Sequence, residues 1–238
     1  MRPIHPPSEV TLRGISAGYP RRPVLHRLTA HIPRFATTAI VGPNGSGKST
    51  LLGVLAGLLP VTAGSIERAG DSRPAFVMQR SAVAETLPLT VRETVAMGRW
   101  AHRGAWRRLT AHDRAVVDAA LDRLGIADLA ARQLGRLSGG QRQRALVAQG
   151  LAQEAELLLL DEPTTGLDVA ARQRISDVLA ESAGLGTTVV HVTHDLASAR
   201  LADHCLLLHD GRLVAQGAPE TVLTGATLRR VWGLPDSL

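Results

Sequence analysis

A glycine-rich segment in the first quarter of the chain contains its single lysine. Lys48 is the one lysine among 27 lysine and arginine residues, and it lies in the run Gly42-Pro43-Asn44-Gly45-Ser46-Gly47-Lys48-Ser49. An ammonium is a compact point charge and a guanidinium is a wide plane, so lysine fits a tight backbone cradle around phosphate oxygens better than arginine does. In a chain that otherwise uses arginine, Lys48 therefore marks a candidate phosphate site.

The run around Lys48 satisfies the pattern G-x-x-x-x-G-K-[ST], which is typical of loops that hold nucleotide phosphates. It follows a predicted strand, Thr37 to Val41, and precedes a helix-forming segment, Thr50 to Leu58. Glycines let successive backbone N–H groups point inward, and the following helix directs its positive end to the same place. The dinucleotide fingerprint G-x-G-x-x-G does not fit. The predicted nucleotide-binding residues are Gly42, Pro43, Asn44, Gly45, Ser46, Gly47, Lys48, Ser49 and Thr50, with Ser49 also a predicted magnesium ligand.

Two carboxylates follow a short apolar run further along the chain. Leu157 to Leu160 leads directly into Asp161 and Glu162. This arrangement suits a magnesium-linked aspartate beside a base that orients water toward a γ-phosphate. Alone, the pair is also compatible with a strand that ends in surface acids. Together with the phosphate loop, it predicts Asp161 as a magnesium ligand and Glu162 as the catalytic base.

A second glycine pair stands at another predicted helix start. Leu137-Ser138-Gly139-Gly140-Gln141 precedes a helix with Ala145, Ala148 and Ala152 on one face. Serine and two glycines at a helix start form an anion site. The chain thus has two phosphate-binding helix starts but one lysine and one acid pair. We infer that the second start completes the active site of another molecule.

Parallel strands are expected to bring these segments together. Three short apolar runs, Thr37 to Val41, Leu157 to Leu160 and Thr187 to Val192, have the character of buried parallel strands. Each is followed at once by polar or glycine residues. Because ligands of open α/β sheets bind beyond the carboxyl ends of the strands, the candidate segments should share one edge of the sheet.

Two further regions should attach to this sheet. Alternating runs in Val10 to Ile32 and in Ser65 to Met78 predict a partly antiparallel sheet. Leu87 to Leu134 has helical spacing, with a capping box over Thr110 to Asp113, and indicates a small helical insertion. The chain is therefore predicted to be α/β, with an antiparallel region and a helical insertion around a parallel core.

Composition limits the class of protein. The 238 residues are 45% hydrophobic and include a single cysteine. No stretch approaches the roughly 20 apolar residues of a membrane span, and the proline-rich start lacks a signal-peptide core, so we expect a cytoplasmic protein. Cys205 is expected to be a buried strand residue in a hairpin of Cys205 to Leu208 with Arg212 to Ala215, before a final helix at Pro219.

A formal net charge of +6 suits an acidic partner, either nucleic acid or an anionic membrane face. The densest basic stretch runs from Arg99 to Arg114 and contains Trp100, Trp106, His102 and His112. Basic residues interleaved with aromatics can stack on single-stranded nucleic acid. Because the chain has few aromatics, we instead expect a solvated face, or a contact with a protein or a membrane.

These motifs together resemble those of ATP-binding subunits of ABC transporters, with Leu-Ser-Gly-Gly-Gln between the phosphate loop and Leu-Leu-Asp-Glu-Pro. The resemblance extends over nearly the whole chain. It implies an α/β fold, with a P-loop NTPase (ABC ATPase) core, an N-terminal antiparallel β subdomain and an inserted α-helical subdomain. The chain is then one domain over 1–238, with the core and β subdomain in 1–84 and 151–238 and the helical subdomain in 85–150.

The resemblance also implies a head-to-tail dimer that encloses two ATP molecules. Each ATP lies between one phosphate loop and the other copy's signature residues, here Ser138, Gly139, Gly140 and Gln141. It implies a role for Lys48 and Glu162 in hydrolysis and for His194 as a contact of the γ-phosphate.

Three further positions follow from the same resemblance. Tyr19 falls where this family stacks an aromatic ring on adenine, Gln79 where a glutamine senses magnesium, and Asp168 in the loop at the dimer interface. Ordinary packing for Tyr19 and helix capping for Asp168 are the structural alternatives. His191 and His194 are spaced i, i+3, but on a strand they point to opposite faces, so we expect no metal site there.

The segment from Leu89 to Arg99, followed by Leu109 to Arg114, is most similar to ATPases of zinc and manganese importers. Siderophore and haem importers share part of this pattern. The resemblance implies ATP and Mg²⁺ as cofactors, a second copy of the chain, an integral membrane permease and an extracytoplasmic solute-binding protein. It places the chain on the cytoplasmic face of the membrane, without a nucleic acid partner. A chromosome-structuring ATPase would need long heptad segments, and a ribosome-associated one would normally contain two nucleotide modules.

Overall fold

The computed structural model describes residues 8–70, 72–78, 88–104 and 107–233 of the chain. The strands are β1 (Ser8–Tyr19), β2 (Arg22–Pro33), β3 (Thr37–Val41), β4 (Val61–Arg68), β5 (Ala75–Val77), β6 (Leu157–Asp161), β7 (Thr188–Val192), β8 (His204–His209) and β9 (Arg212–Gly217). The helices are α1 (Lys48–Leu55), α2 (Val91–Ala96), α3 (Trp100–Arg103), α4 (Ala111–Arg123), α5 (Gly139–Leu151), α6 (Val169–Gly184), α7 (Leu196–Arg200), α8 (Pro219–Val222) and α9 (Gly225–Trp232).

The larger sheet has six strands in the order β5-β6-β7-β3-β8-β9. β3 pairs in parallel with β7 and β8, and β6 pairs in parallel with β5 and β7. All of β3 is buried, as are the first four residues of β6. Both faces of the sheet are covered, one by α1 together with β1 and β2 and the other by helices. The prediction of three buried parallel strands is confirmed. β3, β6 and β7 all end at the same edge.

The smaller sheet has the order β2-β1-β4 and is antiparallel, which confirms the prediction for Val10 to Ile32. For Ser65 to Met78 the prediction is wrong in part. Its first residues belong to β4, but β5 pairs in parallel with β6 in the larger sheet. A run of three residues is too short to show a strand period. Burial of Ala75 and Val77 in the hydrophobic cluster that includes α5 accounts for its place in the core.

The described part of the predicted insertion is helical, as expected, and contains α2, α3 and α4. Thr110 and Asp113 form the predicted capping box of α4, and Thr90 and Glu93 form a second one at α2. Each box satisfies backbone N–H groups that have no partner within the helix. Leu87, the predicted start of the insertion, lies outside the described residues.

The basic stretch from Arg99 to Arg114 is not one exposed face, and the expectation is wrong for Arg99. That side chain is 4% exposed, with Nε 3.0 Å from Asp113 Oδ1 and Nη1 2.7 Å from Glu154 Oε2. Arg103 Nε lies 3.0 Å from Asp113 Oδ2. Buried charges require such partners. These two arginines therefore fix the insertion to itself and to the end of α5. Trp106 lies outside the described residues.

The last part of the chain forms the predicted hairpin of β8 and β9. Asp210 and Gly211 have left-handed φ values of 45° and 71°, the backbone that a two-residue hairpin turn requires. Cys205 is buried in β8, and burial raises the pKa of its thiol to about 12. Pro219 begins α8 as predicted, but that helix is short and α9 follows it. Among the described residues, no helix is both long and apolar enough to cross a membrane.

Candidate nucleotide site

The phosphate loop connects β3 to α1 at the shared edge of the sheet. Its backbone turns on itself, since the Ser46 N–H donates to the Pro43 carbonyl at 3.2 Å. Gly47 caps α1 with a left-handed φ of 97°, and a Cβ added there would lie 2.8 Å from Leu25 Cδ2. Glycine is therefore required at this position, because the backbone is left-handed and there is no room for a Cβ. α1 begins directly at Lys48, and the first N–H groups of a helix have no partner within the helix, so they are available to an anion held by the loop.

Lys48 lies inside this loop and is almost fully buried. Its Nζ donates to the carbonyls of Gly42 and Pro43, at 2.8 Å each. Burial lowers the pKa of the ammonium, while the charges of Glu162 and Asp161 act in the opposite direction. The two acids, which lie at and just after the end of β6, thus help to keep a buried lysine protonated. The loop holds one positive charge among inward-facing backbone groups.

Asp161 ends β6 next to this loop. Ser49 Oγ donates to Asp161 Oδ1 at 3.3 Å, across a sequence separation of more than a hundred residues. Burial raises the pKa of the Asp161 carboxyl, and the bond from Ser49 opposes that shift. A hydroxyl and a carboxylate at this distance are hard oxygen donors of the type that Mg²⁺ prefers. Gln79, the third predicted magnesium ligand, lies outside the described residues.

Glu162 and His194 lie side by side at the same edge. His194 Nδ1 is 3.5 Å from Glu162 Oε1, and Thr165 Oγ1 donates to Glu162 Oε2 at 2.9 Å. Glu162 has a left-handed φ of 49°, a conformation that non-glycine residues adopt at a cost and that clusters at functional sites. The strained residue is thus the one whose carboxylate contacts both His194 and Thr165.

Tyr19 lies beside the phosphate loop, in a cleft that also contains Lys48. It is 50% exposed and lines this cleft of about 260 Å³ together with Lys48 and neighbouring loop residues. Arg22 and Val24 line the same cleft, and the sequence reasoning missed both. A hairpin between β1 and β2 would have indicated both residues, because it pairs Tyr19 with Arg22 and so brings the start of β2 to the same cleft. An exposed aromatic ring beside a phosphate loop is suited to stacking on a nucleobase.

The second glycine segment forms the start of α5. Ser138 caps this helix, its Oγ accepting from the Gln141 N–H at 3.3 Å, while Gln141 Oε1 accepts from the Ser138 N–H at 3.0 Å. Gly139 and Gly140 form the first turn. Within the described residues, neither of the two cavities that border the phosphate loop is lined by any of these four residues. The two glycine-rich segments of one chain are thus not joined in one site.

Asp168 caps the neighbouring helix, α6. Its Oδ1 accepts from the Ala171 N–H at 2.7 Å, the capping role that was its structural alternative. A Cβ added at Gly140 would lie 3.6 Å from Ala171 Cβ, so the starts of α5 and α6 are adjacent. Asp168 and the signature residues therefore share one surface. Its contact with a second copy remains a prediction.

His191 lies within β7, and burial lowers the pKa of its imidazole to about 4. It is therefore neutral at physiological pH. Among the described residues, no group of three or more histidine, cysteine, aspartate and glutamate side chains is arranged to hold a metal ion. His191 and His194 accordingly do not form part of such a group.

The fold and the site together define a nucleoside triphosphatase with a P-loop core, a β-sheet attachment and a helical insertion. The chain belongs to the ABC transporter family, whose model matches residues 25–165. It is an ATP-binding and ATP-hydrolysing subunit of this class. The fold expected from the family resemblance is confirmed.

Three relatives are similar over nearly the whole chain. The ferric enterobactin transport ATP-binding protein FepC of Escherichia coli is 40% identical and is matched over 95% of this chain and 89% of its own length. The manganese transport system ATP-binding protein MntB of Bacillus subtilis is 37% identical, over 94% and 92% respectively. The zinc transport system ATP-binding protein TroB of Treponema pallidum is 37% identical, over 94% and 86%.

A solved structure has the same fold. It is described as a metal-chelate type ABC transporter in an inward-facing conformation, and it is 31% identical to this chain. The TM-score is 0.86, with 96% of this chain and 90% of the other covered. The family resemblance inferred from the motifs is confirmed.

Proposed function

We propose that two copies of this chain close head to tail over two ATP molecules and drive import of a metal ion through a separate membrane permease. One observation supports this most strongly. Lys48, Asp161 and Glu162 are assembled at one edge of the sheet, whereas in the described part of the chain the Ser138 helix start lines neither cavity that borders the phosphate loop. Each chain then supplies one half of a site and the second half of its partner's.

In this proposal the phosphate loop binds the ATP phosphates and Tyr19 stacks on the adenine. Lys48 exchanges its 2.8 Å bonds with loop carbonyls for bonds with phosphate oxygens. Ser49 and Asp161, with Gln79, would hold Mg²⁺, which neutralises charge on the phosphates when it is bound. The remaining residues at this edge, Glu162 and His194, would lie around the γ-phosphate and the attacking water.

Glu162 accepts a proton from that water and orients it, a role that typically contributes about 10²- to 10⁴-fold in rate. His194, 3.5 Å from the Glu162 carboxylate, is placed to donate to the γ-phosphate. The second copy provides Ser138, Gly139, Gly140 and Gln141 to the same phosphate. Asp168, which lies beside that helix start, completes the contact between the two copies.

We propose zinc or manganese as the transported ion, with support from the similarity to TroB and MntB. The similarity to FepC favours a second candidate, a ferric siderophore or haem. In either case the chain acts on the cytoplasmic face of the membrane, with a permease and an extracytoplasmic solute-binding protein. We further propose one domain over 1–238, with the helical subdomain in 85–150 between core segments 1–84 and 151–238.

Uptake by the transporter reconstituted in lipid vesicles tests this proposal. The permease is captured from detergent-solubilised membranes with the tagged chain, and the solute-binding protein is added outside. We expect ATP-dependent uptake of radioactive zinc or manganese that persists in the presence of excess ferric siderophore and haem. The Glu162→Gln variant is the control and should abolish uptake. Uptake of the iron chelate alone would contradict the choice of zinc or manganese and support the second candidate.

A further inference from the structure

The C-terminal helix α9 places an aromatic side chain at the nucleotide site. Thr224 caps this helix, its Oγ1 accepting from the Thr227 N–H at 3.2 Å, and Gly233 ends it in the left-handed conformation with φ 64°. Both ends of α9 are therefore defined by local structure. Trp232 is its last residue. No motif in the sequence points to this helix.

α9 is held against the elements that form the catalytic edge. Val231 is buried, and Leu228 and Trp232 pack against the same hydrophobic cluster. That cluster includes Ala39 and Val41 of β3, the strand that leads into the phosphate loop, and it also includes residues of α7, which follows His194. Trp232 is consequently held near the loop, because α9 and the strand before the loop contribute to one hydrophobic cluster.

The indole of Trp232 lines an open cavity of about 630 Å³. The other residues around this cavity are the loop residues Gly42, Pro43 and Asn44, together with Glu162 and His194. Trp232 is the one large apolar side chain among them and remains partly exposed. Glu162 also lines the cleft that contains Lys48, so the cavity that Trp232 lines adjoins the place where the terminal phosphate would be bound.

We infer that Trp232 is a contact residue for the second copy of this chain in the ATP-bound pair. The inference rests on the head-to-tail pair of the proposed function. One chain supplies the lysine and the acids, so the partner's α5 start must come close to the γ-phosphate, and the residues that act there, Glu162 and His194, line one cavity with Trp232. The partner's segment then covers the ring. Partly exposed tryptophans that become enclosed are frequent energetic anchors of interfaces.

Association of the Glu162→Gln variant tests the inference, because hydrolysis is slow in that background and the ATP-bound pair persists. Sedimentation of this variant with ATP gives its dimer dissociation constant. Adding Trp232→Ala should weaken association about 30-fold, as for truncation of an interface anchor, and Trp232→Phe should recover most of the loss. Trp100→Ala is the matched control, since Trp100 is 44% exposed on the helical insertion, and it should leave association unchanged.

Fluorescence provides a readout that does not depend on removing Trp232. In a Glu162→Gln protein that also has Trp100→Phe and Trp106→Phe, Trp232 is the sole tryptophan. ATP should shift its emission to the blue and protect it from acrylamide, at the protein concentrations where the dimer forms. This readout decides the question if Trp232→Ala does not fold.

Each outcome bears on the inference. Equal dimer association with and without Trp232→Ala would overturn it, as would a Trp232 emission change that is complete in ATP-bound monomers. If Glu162→Gln binds ATP but never dimerises, the head-to-tail pair itself is wrong, and the contact falls with it. A concentration-dependent emission change together with weaker association of Trp232→Ala would support the contact.

Discussion

Lys48→Arg keeps the charge of the side chain and follows the arginine preference of this chain, yet we expect it to disable the enzyme. Lys48 is 6% exposed, and its Nζ has two carbonyl partners at 2.8 Å. A guanidinium is larger than the ammonium and planar, and it extends beyond the position of Nζ. It must therefore either displace the loop or leave the position from which the phosphates are reached.

The expected loss of ATPase efficiency in Lys48→Arg follows from these contacts. Forcing a larger group into a filled site costs about 1–3 kcal/mol, and loss of one hydrogen bond to a charged group costs about 1.5–3 kcal/mol. The sum of about 2.5–6 kcal/mol corresponds to roughly a 10²- to 10⁴-fold loss in ATPase efficiency, since about 1.4 kcal/mol is tenfold. Lys48→Ala, which loses the bonds without the added bulk, should be impaired to a similar extent.

Steady-state ATP hydrolysis and binding of a fluorescent ATP analogue measure the effect. Arg13→Lys is the matched control, because the Arg13 side chain is 62% exposed on β1, paired with Glu67, and distant in role from the loop. It should hydrolyse ATP at the normal rate. Hydrolysis by Lys48→Arg within about threefold of the unmodified protein would refute the argument from side-chain shape.

Two further predictions concern stability. The Thr110 cap and the Arg99 guanidinium hold the pKa of the Asp113 carboxyl well below its usual range. Asp113→Asn should therefore lower the free energy of unfolding at neutral pH. The difference in unfolding free energy between the variant and the unmodified protein should shrink as the pH falls below about 4, because the carboxyl of the unfolded chain then becomes protonated. Gly211→Ala would place a Cβ 1.8 Å from the Val24 carbonyl and should destabilise by about 1–3 kcal/mol or more in urea unfolding. Gly184→Ala, with open space around it, is the control. Equal stability of the two glycine variants, or a pH-independent Asp113→Asn effect, would contradict these arguments.

The catalytic edge could be predicted because its signals are local. Apolar runs such as Leu157 to Leu160 identify buried strands by themselves, and the residues that follow them must lie at the carboxyl edge. The capping boxes at Thr90 and Thr110 are equally local, although only the second was identified in advance. Lys48 required no tertiary information, since its type and its glycine neighbours specify the loop.

The features that the sequence did not reveal depend on contacts between distant segments. Arginine is a residue type usually found at the surface, and Arg99 is buried because it forms ion pairs with Asp113 and Glu154. β5 has only three residues, and its partner strand β6 is about 80 residues away. Trp232 approaches the phosphate loop because α9 belongs to the hydrophobic cluster that also contains residues of β3, the strand that precedes that loop. Periodicity reports which face of an element is apolar, but not which distant element covers that face.

Chemical cross-linking between two copies shows whether they share their nucleotide sites head to tail. In the Glu162→Gln background, Asn44→Cys on the phosphate loop and Ser138→Cys at the α5 start are combined and treated with a short bifunctional thiol reagent. Both parent positions are exposed, whereas the native Cys205 is buried with its thiol pKa raised to about 12, so it does not compete. We expect an ATP-dependent covalent dimer that requires both cysteines. A cross-link within one chain, or a dimer formed equally well by either single cysteine, would contradict it.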